Sequence, residues 1–205
     1  MAVFKLKLNP FITASLLLAL IIPSGARCGD RPAKWAQPVT LDGVPNLYRV
    51  SAGLYRSAQP TGEGMKNLRK FGIETIINLR SFHSDRDEIG ETGMGYEHIY
   101  MKPWHPEREE AVRFLQIVTD RRRTPVLVHC MDGSDRTGAM CAIYRVTVQG
   151  WSKEEAVREM TEGGFGFHRV WFNLPDWIES IDMESLKEDA GITRRAEADS
   201  ARSLN

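Results

Sequence analysis

Cys130 and Arg136 lie six positions apart in HCMDGSDRTG, residues 129–138, which follows PVLV and runs into AMCAIYRVTVQ. A tight loop at that point can gather backbone N–H groups into an anion nest. A helix that starts there adds unsatisfied N–H groups and the positive end of its dipole. The guanidinium of Arg136 is a planar fork that matches two phosphate oxygens. Gly133 permits a positive φ in the turn, and Gly138 permits close approach at the helix start. At the rim of such a positive bowl, Cys130 is expected to hold its sulfur as thiolate. The chemistry this suits is attack of sulfur on phosphorus, giving a phosphocysteine that water later hydrolyses. Thr137 places a hydroxyl beside Arg136, where it could assist thiolate departure in the second step. A cysteine and an arginine at this spacing are common by chance. His129, Gly133, Thr137, Gly138 and the apolar flanks separate the loop from a structural cysteine at a strand end.

The loop needs a strand before it and a helix after it. PVLVH (125–129) is a short apolar run, as expected for a strand covered on both faces. The following helix reaches about Gln149 and is closed by Gly150. IETIINL (73–79) has the β-branched content of a buried strand, and YEHIYM (96–101) reads as another. NLYRVSAGLYRSAQP (46–60) predicts two short extended segments. Helices are predicted over 61–71, stopped by Gly72, and over 107–119, with one apolar face. Ser152 with Glu155 forms a capping box for the next helix, and a last amphipathic helix runs from about Trp171 to Ile181. Residues 80–95 read as a loop, in which Arg80, Asp85, Arg86 and Asp87 form a solvated charged stretch that could instead rim the site. Arg121 to Arg123 read as a charged turn, the aromatics of 165–172 as core, and His168 as structural or exposed. Helices alternating with apolar strands predict an α/β fold: three layers, with a mainly parallel central sheet flanked by helices. The loop then leaves the carboxyl end of a strand, where ligands bind in such sheets.

At 205 residues, 42% hydrophobic and 26% charged, the chain has the composition of one globular domain with terminal extras. Its 27 basic and 27 acidic residues balance, which gives no electrostatic case for nucleic acid or anionic membrane as main partner. Lys5 and Lys7 precede the uncharged run Phe11–Ile22, and Ser24 and Ala26 make an A-x-A-like site. That order predicts a signal peptide over 1–26, cleaved after Ala26, and an exported protein with no stable membrane insertion afterwards. The run is short of the ~20 residues a spanning helix needs. Residues 27–45, with three prolines, read as a linker, 46–185 as the domain and 186–205 as a polar, frayed tail. Of three cysteines, Cys28 falls in the linker and Cys141 inside an apolar helix, which leaves Cys130 as the one that does not look structural.

The signature H-C-x5-R-T-G, with its strand and helix, resembles that of the cysteine-dependent protein tyrosine and dual-specificity phosphatases. LYRSAQPT, GIETIINLR and VQGWSKEEAVREMTEGGFGF are similar to the small exported bacterial members, over roughly residues 46–180. The resemblance implies Cys130 as nucleophile and Arg136 as phosphate and transition-state binder. It implies backbone amides of Met131, Asp132, Gly133, Ser134 and Asp135 as the phosphate cradle, and His129 as a tuner of the thiol. It implies a phosphorylated protein as substrate, a periplasmic location, and neither metal nor organic cofactor; the chain is expected to act as a monomer. The family's usual acid is an Asp on a separate upstream loop, and no Asp occurs between Tyr96 and Thr119. WHPE offers Glu107 instead, though a first-turn helix carboxylate is favoured there by the dipole alone. C-x-D-G-x-D-R is also the loop pattern of myotubularin-type phosphoinositide phosphatases, which brings in Asp135 and Asp132, the latter equally a cap for backbone N–H groups. His105 is a further option. A weak acid would favour phosphotyrosine over phosphoserine. An inositol-phosphate or phosphoinositide phosphatase, and a non-catalytic phosphate-binding module, are the readings held beside a protein phosphatase. A sulfurtransferase is disfavoured by the gap to Arg136 and by Thr137-Gly138.

Overall fold

The computed structural model describes residues 31–193. The leader expected at 1–26, Cys28 and the end of the tail lie outside the described residues. Six strands form one sheet: β1 (Gln37–Pro38), β2 (Tyr48–Arg49), β3 (Leu54–Ser57), β4 (Thr75–Asn78), β5 (Gly95–His98) and β6 (Val126–His129). Their order is β1-β2-β3-β6-β4-β5. The first two pairings are antiparallel and the remaining three parallel. Among the described residues, seven α-helices accompany the sheet: α1 (Gly62–Phe71), α2 (Arg86–Ile89), α3 (Arg108–Val118), α4 (Asp135–Gln149), α5 (Lys153–Glu162), α6 (Asn173–Ser180) and α7 (Met183–Asp189).

Alternation along the central strands produces the layers. Ile76 of β4 and Leu127 of β6 face one core with Met65 and Leu68 of α1 and Ile89 of α2. Their neighbours Ile77, Val126 and Val128 face a second, larger core filled by α3 to α7. Every residue of β4 and β6 is buried, because both faces are covered. The register sets Asn78 opposite both His98 and His129, and Ser57 opposite His129. Four parallel strands therefore end level, and the loops that follow them share one edge of the sheet.

Local signals set the helix ends. Thr61 Oγ1 accepts from the Gly64 N–H at 3.0 Å, and Gly72 closes α1 at φ 103°. Ser152 Oγ accepts from the Glu155 N–H at 3.2 Å to start α5. Gly150 ends α4 at φ 71°.

Three stretches differ from expectation. Residues 31–45 are not a linker. Trp35, Ala36 and Val44 are buried, and the Ala36 N–H donates to Glu159 Oε1 at 2.5 Å. That carboxylate also receives Arg145 through Nε at 2.7 Å and Nη2 at 2.6 Å, which ties the segment to α4 and α5. These apolar residues have no period, so no pattern marked them. The segment 80–95 holds the short helix α2, and Asp85 before it is fully buried rather than solvated. The polar tail begins later than 186. Asp182 Oδ1 caps α7 by accepting from the N–H groups of Glu184 and Ser185, and Leu186 is fully buried. The helix expected from about Trp171 to Ile181 is present as α6, entered through a 3-10 turn, Arg169–Trp171.

Candidate active site

Residues 130–134 connect β6 to α4 at the shared strand edge. Gly133 sits at φ 71°, and a Cβ there would come 2.4 Å from the Ser57 carbonyl group. Only glycine allows the loop to turn so tightly against β3. At Gly138 a Cβ would lie 2.8 Å from Met160 Cγ, so glycine lets α4 approach α5 at its first turn.

Three of the loop's carbonyls, those of Met131, Asp132 and Gly133, are held from outside. Met131 O accepts from the Gln59 N–H at 3.0 Å, and Asp132 O from Asn46 Nδ2 at 2.8 Å. Gly133 O accepts from Arg56 Nη2 at 2.6 Å, and Ser134 O from the Gly138 N–H at 2.9 Å. Cys130 O lies 3.2 Å from His129 Nδ1. A peptide's N–H points opposite to its C=O, so carbonyls drawn outward turn the amides inward. Among the described residues, no acceptor takes the N–H of Met131, Asp132, Gly133 or Ser134. The first N–H groups of α4 join them, as at any helix start. This is an anion cradle built of backbone.

Cys130 is at the floor of the loop rather than its rim, with 1% of its surface exposed. It is the first residue after a strand covered on both faces, which is why it is so deep. Arg136 is half-buried and donates from Nη1 to Leu79 O across a long 3.5 Å. Thr137 is buried, and its hydroxyl has no partner among the described residues. Cys141 lies in the core of α4, where burial pushes its thiol up to about 11, so it stays protonated.

His129 is held by a residue read from sequence as solvated. Its Nε2 lies 2.7 Å from Asp85 Oδ2, and both side chains are fully buried. Gln59 Nε2 donates to Asp85 Oδ1 at 2.9 Å. Burial pushes the Asp85 carboxyl up, but bonds and charge from His129, Gln59 and His83 outweigh it and hold it below the usual range. A depressed carboxylate contributes stability above its unfolded value, about 3.9, and that stability is lost as pH falls through the folded value. Asp85→Ala should lower the unfolding free energy at pH 7 by about 2 kcal/mol, measured by urea titration. The deficit should shrink toward pH 3, and a pH-independent deficit would contradict the pairing.

The acid candidates fall in different places. Glu107 precedes α3, half-exposed and 3.9 Å from the exposed His105. Among the described residues, no bond joins either to residues 130–136. Glu110 accepts from the Glu107 N–H at 2.9 Å and caps the helix. Burial, with Glu107 and Glu109 nearby, raises Glu110 to about 7. Folding then protonates it, so stability falls as pH rises from about 4 toward 7. Glu110→Gln should raise stability at pH 8 by about 1 kcal/mol and leave it unchanged at pH 4, as thermal melts would read. Asp132 is exposed. Asp135 is buried, and His168 grips it twice, by backbone N–H to Oδ1 at 2.8 Å and by Nδ1 to Oδ2 at 2.9 Å. That bond and the Asp135 charge, helped by Asp132, raise His168 above the usual histidine range.

Asn46, Arg56, Gln59, Asp85 and His168 are therefore parts of the site not assigned from sequence. One signal was present: an arginine inside the short strand LYRS, where a charge is buried only for a reason.

A cysteine and an arginine flanking an inward-facing amide ring, between a parallel strand and a helix, define the class of cysteine-dependent phosphatases. The comparisons identify the family within it. Residues 37–170 match the family described as DSP-PTPase phosphatase fused to NAD+ kinase, and the chain belongs to it as a phosphatase. The chain is 32% identical to dual specificity protein phosphatase TpbA of Pseudomonas aeruginosa over 180 residues, 86% of this chain and 80% of that protein. A crystal structure of a cysteine-to-serine variant of TpbA with pTyr bound has a TM-score of 0.70 at 30% identity, over 78% of this chain and 98% of that one. Inositol diphosphatase DSP3 of Arabidopsis thaliana is 25% identical over 154 residues, 70% of this chain and 73% of that protein.

Proposed function

We propose that this protein hydrolyses phosphotyrosine in proteins, and phosphoserine or phosphothreonine more slowly, through a phosphocysteine. The observation that carries this is the cradle: three loop carbonyls turned out by donors from outside the loop, around a cysteine, with Arg136 at the following helix. The Cys130 thiolate forms the S–P bond while the ester P–O bond breaks and the leaving oxygen takes a proton. Water then forms a new P–O bond as the S–P bond breaks, which releases inorganic phosphate and returns the thiolate. The amides of Met131 to Asp135 and the Arg136 fork stabilise the charge on the three equatorial oxygens. The unpartnered Thr137 hydroxyl donates to the departing sulfur. The buried position of Cys130 favours a phosphate carried on a long, flat group, as in tyrosine.

The proton belongs to the Asp135–His168 pair. Asp135 already accepts twice from His168, so the transferable hydrogen is on the imidazolium. Glu107 serves the start of α3. A raised histidine is protonated below its folded value and loses its proton as pH rises through it. Turnover of a phosphoserine peptide should therefore fall on the alkaline side, above the ordinary histidine value of about 6.5. His168→Gln should remove that limb and slow phosphoserine about 100-fold, with a smaller loss for phosphotyrosine. An unchanged pH profile would assign the proton elsewhere.

The inositol-phosphate reading is motivated by the loop aspartates and by DSP3. Phosphate release from a panel of phosphopeptides and inositol phosphates tests the proposal, with a faster rate on inositol phosphates as the result against it. Binding of phosphopeptide without release would indicate a non-catalytic module. Export, with cleavage after Ala26, and action as a monomer belong to the same proposal. The basic start and apolar run of the leader support the first. Among the described residues, no helix is long and apolar enough to cross a membrane.

A further inference from the structure

Arg56 is a charged side chain in β3 with 1% of its surface exposed. Its Nη2 donates to Gly133 O at 2.6 Å and reaches Ser134 O at 3.4 Å. Its guanidinium carbon stands 3.6 Å above the ring of Phe165, in the turn that follows α5. Nε is buried without a partner. Among the described residues, no carboxylate forms an ion pair with Arg56. The acid that faces it, Glu159, is occupied by Arg145 and the Ala36 N–H. Burial draws the arginine below its ordinary value, opposed by Cys141 of α4, Glu159 of α5, Cys130 and Tyr48 of β2. A buried cation without its own carboxylate is unfavourable unless another anion offsets it. The loop whose carbonyls Arg56 holds lies above Cys130 and offers a place for such an anion.

We propose that Arg56 is a positioning residue of this site, a buried cation that draws the Gly133 and Ser134 carbonyls outward and takes as its counter-ion the thiolate or phosphate held at Cys130. Gly133 O shares a peptide plane with the Ser134 N–H, and Ser134 O with the Asp135 N–H. Pulling those carbonyls toward β3 therefore aims two cradle amides at the bound anion. The same guanidinium acts through the loop as an electrostatic floor, in surroundings where water does not screen it. Arg136 meets the phosphate directly, whereas Arg56 reaches it only through backbone. The proposal rests on the phosphocysteine reading and extends it to a residue that touches no substrate.

The test uses the full chain with Cys28→Ser, so that alkylation by iodoacetamide reads Cys130; Cys141 stays a protonated, buried thiol. Alkylation rate is followed against pH, with and without inorganic phosphate as protectant, in the parent, Arg56→Met and Arg56→Lys. If phosphate does not protect the parent, the phosphocysteine reading itself fails. If it does, folded Arg56→Met should show the alkylation midpoint moved up by about one pH unit and protection weakened at least tenfold. Arg56→Lys should keep a midpoint near the parent's, because the charge remains, yet lose part of the protection, because the planar fork does not. A folded Arg56→Met with the parent's midpoint and phosphate affinity overturns the proposal. Should the Met variant not fold, Arg56→Lys decides alone: the parent's phosphate affinity in that variant overturns it, and weakened protection at an unshifted midpoint supports it.

Discussion

Cys130→Ser should release phosphate from a phosphotyrosine peptide at least about 10⁵-fold more slowly than the parent, while still binding the peptide. A serine hydroxyl at this position is nearly the same size, so the cradle amides and Arg136 keep their places. It is not ionised near neutral pH, and the S–P intermediate cannot form. Because Cys130 is 1% exposed at the end of β6, the substitution sits inside a packed floor and alters nothing that a peptide meets first. Binding by fluorescence anisotropy, set beside single-turnover phosphate release, separates the two effects. Turnover retained in this variant would remove the nucleophile from the scheme, whatever the cradle binds.

Arg136→Lys is the second large effect, a fall of about 10³ in kcat/KM. The charge survives, and what is lost is geometry. The guanidinium lies between the loop and the end of β4, where its Nη1 reaches Leu79 O. Anchored by one nitrogen, the fork offers its other donors to two equatorial oxygens at once. An ammonium offers a point charge on a flexible stem and cannot do both. Since those oxygens gain charge most in the transition state, kcat should fall further than KM rises. A loss confined to KM would mean that Arg136 only gathers substrate.

The readability of these elements from sequence varied for identifiable reasons. β4 and β6 were legible because a strand buried on both faces is a continuous apolar run, and α1, α4 and α5 because a cap or a closing glycine marks an end. β1 was illegible: two residues cannot show a period, and their place depends on pairing with β2. α7 was masked by charge, since only Met183 and Leu186 of its turns reach the core. Asp85 shows the limit most clearly. In sequence it belongs to HSDRDE, a solvated-looking run, yet it is fully buried because the end of β4 brings it against His129, 44 positions along the chain.

By itself the sequence determined which atoms could do the chemistry. Cys130, Gly133, Arg136 and Thr137 are local in the chain, and a turn followed by a helix converges them without help from distant residues. The tertiary structure decided how that loop is held, by Asn46, Arg56 and Gln59 from one stretch of chain and by Asp85 and His168 from two others. It also decided that Cys130 is a floor and that Asp135 is committed to a histidine. Spacing encodes what one turn of backbone can gather, whereas the direction of a carbonyl, the depth of a sulfur and the counter-ion of a buried charge are set by whichever segments pack around them.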